Sequence, residues 1–156
     1  MKIANTVGPG CLVRVETMLR VRRSALDEMI ALAYRSYPYE GCGLIAGFDD
    51  LVSGEAAVAE RFYACRNAAA SARVYTIDPI DHLRAERDAD DADLEINGVV
   101  HSHTHTEPYP SPTDIAQAPD PSWHYVIIGL KREVPEVRSY RIIDGAVTEE
   151  PLQIID

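Results

Sequence analysis

Cysteine is scarce in this chain and never paired: Cys11, Cys42 and Cys65 form no C-x-x-C, and three is an odd count. That spacing argues against a disulfide framework and against a cysteine-based zinc knuckle, leaving reduced thiols, two of them beside apolar neighbours. Positive charge is also short. Lys and Arg number 15 against 25 Asp and Glu, a formal charge of −10, and no block of basic residues interrupts the acids. Such a chain offers little to a phosphate backbone or an anionic bilayer, so neither nucleic acid nor a membrane is expected as partner. Long apolar runs are missing too. The stretch at residues 125 to 130 is among the longest, whereas a membrane span needs about 20 apolar residues. The first residues lack the basic and hydrophobic blocks of a secretion signal, and the cytoplasm is the expected compartment.

What remains is the composition of an ordinary globular protein, 46% apolar and 26% charged, without low complexity or internal repeat. A chain of 156 residues buries on the order of 70% of its extended surface, comfortable for one domain and thin for two. Residues 1–20 show no clear period and are read as an N-terminal arm; residues 21–156 are read as a single domain. Leu26, Met29, Ile30, Ala33 and Tyr37 follow helical spacing after Ser24 and Asp27, which resemble a capping box, and Tyr37-Pro38 stops the helix. The stretch YPYEGCGLIAGF then reads as a buried strand entered through a tight turn, with Glu40 at its mouth. Residues 56–66 and 73–77 are expected as strands, and Asp78-Pro79 as the capped start of a second helix that dissolves in the acidic run at 88–93. Strands are also expected at 96–102 and 123–130, followed by a hairpin around Asp144-Gly145. The fold class is therefore mixed α/β.

The densest chemistry lies in HSHTHTEPYPSPTD, residues 101–114. On a strand His101 and His103 point the same way, their Cα atoms roughly 7 Å apart, a span two imidazoles can close onto one cation. His105 joins them only if the strand continues, and residues 104–110 read as loop. Ser111, Pro112 and Asp114 suit the N-cap, first and third positions of a short helix, so Ser-x-x-Asp is by itself a capping box. Beside two imidazoles, however, Asp114 supplies a third ligand and leaves one tetrahedral position for water, as a catalytic zinc requires. Bound there, zinc would bring the pKa of that water to about 7, and a general base would still be needed. Glu40 is the candidate; the alternative is an exposed loop glutamate. Cys42 reads as a small buried hydrophobe, since no Cys/His signature accompanies it. His82 and His124 read as structural.

Together Glu40 before CGLIAG, His101-x-His103, Ser111 and Asp114 resemble the JAMM (MPN+) metalloprotease pattern. The context YPYEGCGLIAG, HSHTHTEPYPSPTD and RSYRIIDGAVTEEP resembles its small stand-alone bacterial branch in particular. The resemblance implies a curved mixed sheet packed with helices, in cytidine-deaminase-like layering, with the metal at one sheet edge. It implies one Zn2+ per chain on His101, His103 and Asp114, Glu40 as general acid and base, Ser111 as oxyanion donor, and His105, Glu107 and Tyr109 lining the cleft. The implied substrate is a ubiquitin-fold sulfur-carrier protein, cut after its C-terminal Gly-Gly to release cysteine or a short extension. Three other readings stay open: maturation of a carrier for a sulfur-containing natural product, a deubiquitinase-like isopeptidase, and a non-catalytic MPN scaffold. Such scaffolds typically lose ligands, and here all five motif residues are present. A zinc deaminase is set aside because its H-x-E and P-C-x-x-C elements are missing.

Overall fold

The computed structural model describes residues 17–48 and 56–156. Their elements follow in the order β1 (Leu19–Arg22), α1 (Arg23–Ser36), β2 (Cys42–Phe48), β3 (Ala57–Cys65), α2 (Pro79–Asp91), β4 (Glu95–His103), α3 (Pro112–Ala116), β5 (His124–Gly129), β6 (Glu136–Ile143), β7 (Ala146–Glu150) and β8 (Leu152–Ile155). The strands form one mixed sheet, ordered β7-β6-β5-β4-β2-β3-β1-β8. Chain length forces that sheet to curve. β7 and β8 are its opposite edges, yet Pro151 alone separates them in sequence. Laid flat, eight strands at a spacing of roughly 4.8 Å would hold the edges about 34 Å apart, whereas one residue reaches about 3.6 Å. The sheet therefore coils nearly into a barrel, in line with the curved mixed α/β architecture expected.

Alternation along the central strands feeds two cores. Ile45, Val100, Val126 and Ile128 face one way and pack with Leu26, Met29 and Ala33 of α1. Leu44, Val99, Tyr125 and Ile127 face the other way and pack with Ala85 of α2. Burial on both faces is why β2 and β5 read as continuous apolar runs. Gly43 lets β3 approach, since a Cβ there would lie 2.4 Å from the Phe62 ring and from the Tyr63 carbonyl. The hairpin turns at Asp144 (φ 50) and Gly145 (φ 78), the two positive angles of a type I′ turn, as the Asp-Gly pair requires.

Several expectations are corrected. Leu19 and Arg20, read as part of the arm, belong to β1, which pairs in parallel with β3 and β8; four residues are too few to display a period. Residues 1–16 lie outside the described residues. Ser24 and Asp27 do not cap α1: the helix starts at Arg23, directly off β1, with Arg22 at the N-cap and no side-chain cap. Leu19 and Val21 are fully buried, so the sheet itself fixes the helix entry. The segment 73–77 is no strand, and only Asn67 and Ile77 bridge. Asn67 takes the backbone groups a strand would have paired: its amide accepts from Ala69 and Thr76 and donates to Val74. α2 extends through the acids to Asp91. The terminal strand β8, beyond Pro151, went unread.

Glu150 ties the antiparallel end together. Its Oε1 accepts from His124 Nδ1 at 2.5 Å and from Ser139 Oγ at 2.8 Å, all three groups being buried. Burial alone would raise this carboxyl, but the His124 hydrogen bond and charge, with help from Thr17 and Ser139, hold it below its ordinary value. A lowered carboxyl stabilises the fold above the unfolded value of about 4.3 and ceases to do so as pH falls through its folded value. Glu150→Ala is therefore expected to cost about 3–5 kcal/mol in urea unfolding at neutral pH, with the gap to wild type closing in acid. A gap independent of pH would show that the ionised pair contributes nothing.

Candidate metal centre and active-site cleft

β4 carries His101 and His103 on one face, as the two-residue repeat demands. β4 is a central strand, between β2 and β5, so the site sits at the C-terminal end of the sheet's middle and not at the sheet edge expected. The reason is burial: β4 is covered on both faces, and only its end opens. β2 runs antiparallel with Cys42 opposite His101, and the pairing continues through Ser102 N–H donating to the Gly41 carbonyl at 2.9 Å. Glu40, two residues before Cys42, and His103, two after His101, line one cavity beyond that pairing. Ser111 caps α3: its Oγ accepts from Asp114 N–H at 3.1 Å while Asp114 Oδ2 accepts from Ser111 N–H at 2.8 Å. The capping box is therefore real, and it aims Asp114 at the histidines.

The three candidate ligand atoms form a nearly equilateral triangle. His101 Nε2 and His103 Nε2 are 3.1 Å apart, and Asp114 Oδ2 lies 3.2 Å from the first and 3.3 Å from the second. Ligands about 2.0–2.1 Å from a tetrahedral zinc stand roughly 3.3 Å from one another, so this triangle matches one face of such a tetrahedron. Tautomer chemistry agrees. His103 Nδ1 donates to the Glu107 carbonyl at 2.8 Å, which leaves Nε2 as the nitrogen facing Asp114, able to bond its carboxylate through a proton or to share a cation with it. The three residues could hold a metal ion.

Beside the triangle, a cavity of about 590 Å³ is lined by Glu40, Arg73, His103, Thr104, His105 and Ser111, among others. Glu40 is only 4% exposed, and its Oε2 has no hydrogen-bond partner among the described residues. Burial pushes its carboxyl up to about 7, with His103 opposing and Asp114 adding to the rise. The exposed-loop alternative for Glu40 is thereby ruled out on burial. Its backbone is fixed at both ends, N–H to the Ser71 carbonyl at 2.8 Å and carbonyl to Asn67 Nδ2 at 3.1 Å.

Residues 22–143 match the prokaryotic homologs of the JAB domain. The chain belongs to this family. Among the relatives of this JAB-domain chain are the proteins named CysO-cysteine peptidase in Mycobacterium tuberculosis and Mycobacterium bovis, each 39% identical over 140 residues, 89% of this chain and 92% of theirs. A Desulfitobacterium hafniense protein of known solution structure superposes with a TM-score of 0.80 at 32% identity, covering 89% of this chain and 94% of that one. A JAB1/MPN domain protein from Archaeoglobus fulgidus gives a TM-score of 0.56 at 16% identity over 88% and 97% of the two chains, a likeness of fold.

Within this JAB domain the remaining candidate residues separate. His105 is exposed on the loop after β4, its ring stacked on Tyr37 with centroids 5.9 Å apart, and it lines the cavity. Glu107 and Tyr109, expected to line the cleft, are not among the residues around that cavity. The Glu107 side chain turns to Lys131 and Arg132, at 3.0 and 2.9 Å, and only its carbonyl serves the site. Tyr109 packs its ring edge-on against Tyr140. His124 binds Glu150, and His82 pairs with Glu86 at 3.2 Å. Burial pushes the Cys42 thiol up to about 12, with Cys65 and Glu40 adding, so no thiolate nucleophile is at hand. Burial would raise the Asp114 carboxyl, but hydrogen bonds from His101 and His103 hold it well below the carboxylate range; burial lowers His101. Asp114 is thus ionised and His101 neutral, as ligands need, whereas at His103 burial is outweighed by Asp114 and the Glu107 carbonyl, so the pKa of its ring is raised and it gives up a proton when a cation binds.

Sequence reasoning missed three contributors. Tyr75 lies flat on His101, centroids 4.3 Å apart, where a strand had been expected. Asn67 clamps the loop behind Glu40, and Arg73 enters the cavity. Their signals, an isolated Asn and an isolated Arg in irregular chain, carry no period.

Proposed function

We propose that this chain is a zinc-dependent peptidase, one zinc per chain on His101, His103 and Asp114, that hydrolyses the amide bond after the C-terminal Gly-Gly of a ubiquitin-fold sulfur-carrier protein and releases cysteine or a short extension. The observation that carries the hydrolytic reading is the convergence of those three ligand atoms at 3.1–3.3 Å beside a cavity shared by Glu40 and Ser111. The substrate class rests on the 39% identity to relatives named CysO-cysteine peptidase. We place the enzyme in the cytoplasm, in keeping with the absence, among the described residues, of a helix long and apolar enough to cross a membrane. The catalytic domain is taken as residues 21–156, as read from the sequence, extended to Leu19 by β1.

Zinc, when bound, supplies the charge that brings the pKa of water toward about 7 and polarises a carbonyl. Glu40 takes the proton of the attacking water on Oε2, the oxygen with no other partner, and delivers it to the leaving nitrogen as the C–N bond breaks. Ser111 Oγ already accepts the Asp114 N–H, so its own hydrogen is left to donate to the carbonyl oxygen as that oxygen gains charge. The Glu107 carbonyl holds the His103 ring in the tautomer and orientation that a ligand needs. Incubation of the zinc-loaded protein with a carrier ending in Gly-Gly-Cys, followed by mass spectrometry of the carrier, is expected to register loss of one cysteine. An unchanged carrier mass would contradict the proposal.

A further inference from the structure

We infer that Arg73 reads the free carboxylate of the residue being released, so that the enzyme removes a single C-terminal residue and does not cut within a chain. The inference rests on the peptidase reading above. Among the described residues, Arg73 is the only arginine or lysine lining the cavity that holds Glu40, His103 and Ser111. No ion pair or hydrogen bond engages its guanidinium among the described residues, in contrast to Arg22, Arg61 and Arg132, each paired with a carboxylate.

Its place is set relative to the proton donor. Ser71 Oγ accepts the N–H groups of Arg73 and Val74, at 3.1 and 3.3 Å, while the Ser71 carbonyl accepts the N–H of Glu40 at 2.8 Å. Asn67 Nδ2 spans the Glu40 and Val74 carbonyls, 3.1 Å from each. Residues 71–74 and Glu40 thus move as one unit. Glu40 must face the leaving nitrogen to protonate it, so the leaving residue lies on the side of the cavity that this unit forms. In a single released residue the carboxylate carbon stands only roughly 2.5 Å from that nitrogen. On that side of the cavity Arg73 is the cation placed to receive such an anion. A guanidinium forks onto a carboxylate with two parallel hydrogen bonds. Arg73 takes no part in the bond changes: water oxygen joins the carbonyl carbon, the C–N bond breaks, and the proton goes to nitrogen through Glu40.

The test compares kcat/KM for two forms of one carrier ending in Gly-Gly-Cys, the free acid and the C-terminal carboxamide. Wild type is expected to prefer the acid about 10-fold, the lower end for a charge-assisted hydrogen bond since Arg73 is exposed. Arg73→Gln is expected to bring the ratio to about 1, the loss falling on the acid and mainly in KM, with the amide cleaved as before. Arg73→Lys, which keeps the charge without the fork, is expected to fall between them. A wild type that cleaves acid and amide equally, or variants that lose both equally, would overturn the assignment while leaving the peptidase reading intact. A wild type that cleaves neither would overturn that reading and the assignment with it.

Discussion

Glu40→Gln is expected to keep its zinc and its fold and to lose about 10²–10⁴ in kcat. The substitution changes one oxygen to nitrogen and fits the same space, but an amide can neither take the proton of water nor carry it to the leaving nitrogen. Metal content is not expected to change, because the triangle of His101, His103 and Asp114 contains no atom of Glu40. Stability should match or slightly exceed wild type, since the native carboxyl is buried with one oxygen unpartnered and its ionised form is disfavoured there. Zinc analysis, thermal unfolding and the carrier assay separate these effects. Zinc loss in step with activity would remove Glu40 from the acid-base role and make it a support for the metal.

His103→Ala is expected to fail differently, losing zinc and activity together. His103 supplies one of three ligand atoms, and its ring is pre-set by the Glu107 carbonyl, so two ligands would remain on a site that needs three. Zinc should drop from about one ion per chain to near none after dialysis, and turnover with it. Asp114 would also lose one of the two imidazoles that hold its charge in a buried place. Glu40→Gln and His103→Ala thus form a pair: equal zinc content in the two would refute the division between base and ligand.

How much of this was legible beforehand follows from the range over which each feature acts. Local signals read well. Asp144-Gly145 dictated its turn, Asp78-Pro79 opened α2 with the Asp78 side chain accepting from two N–H groups, and Ser111-x-x-Asp114 formed its box, whereas the same pattern at Ser24 and Asp27 did not, because β1 fixes the entry to α1. The histidine pair was legible because strand alternation is a two-residue rule. Features set by distant pairing were not. β1 and β8 are four residues each; β1 is held between β3 and β8, and β8 pairs with β1, which no window along the chain reveals. The β2–β4 pairing that brings Glu40 near His103 spans some sixty residues; Glu40 could be named as the candidate base from its turn, but not placed beside the histidines except through the family resemblance. Arg73 and Tyr75 reach the site through a loop organised by Asn67, where regular periodicity has nothing to say.

The most direct measurement is an anomalous difference map at the zinc absorption edge from crystals of the zinc-loaded protein. The account predicts one strong peak per chain, about 2.0–2.1 Å from His101 Nε2, His103 Nε2 and Asp114 Oδ2, facing the cavity that Glu40 lines. No peak among those three atoms, or a peak held by other residues, would contradict it.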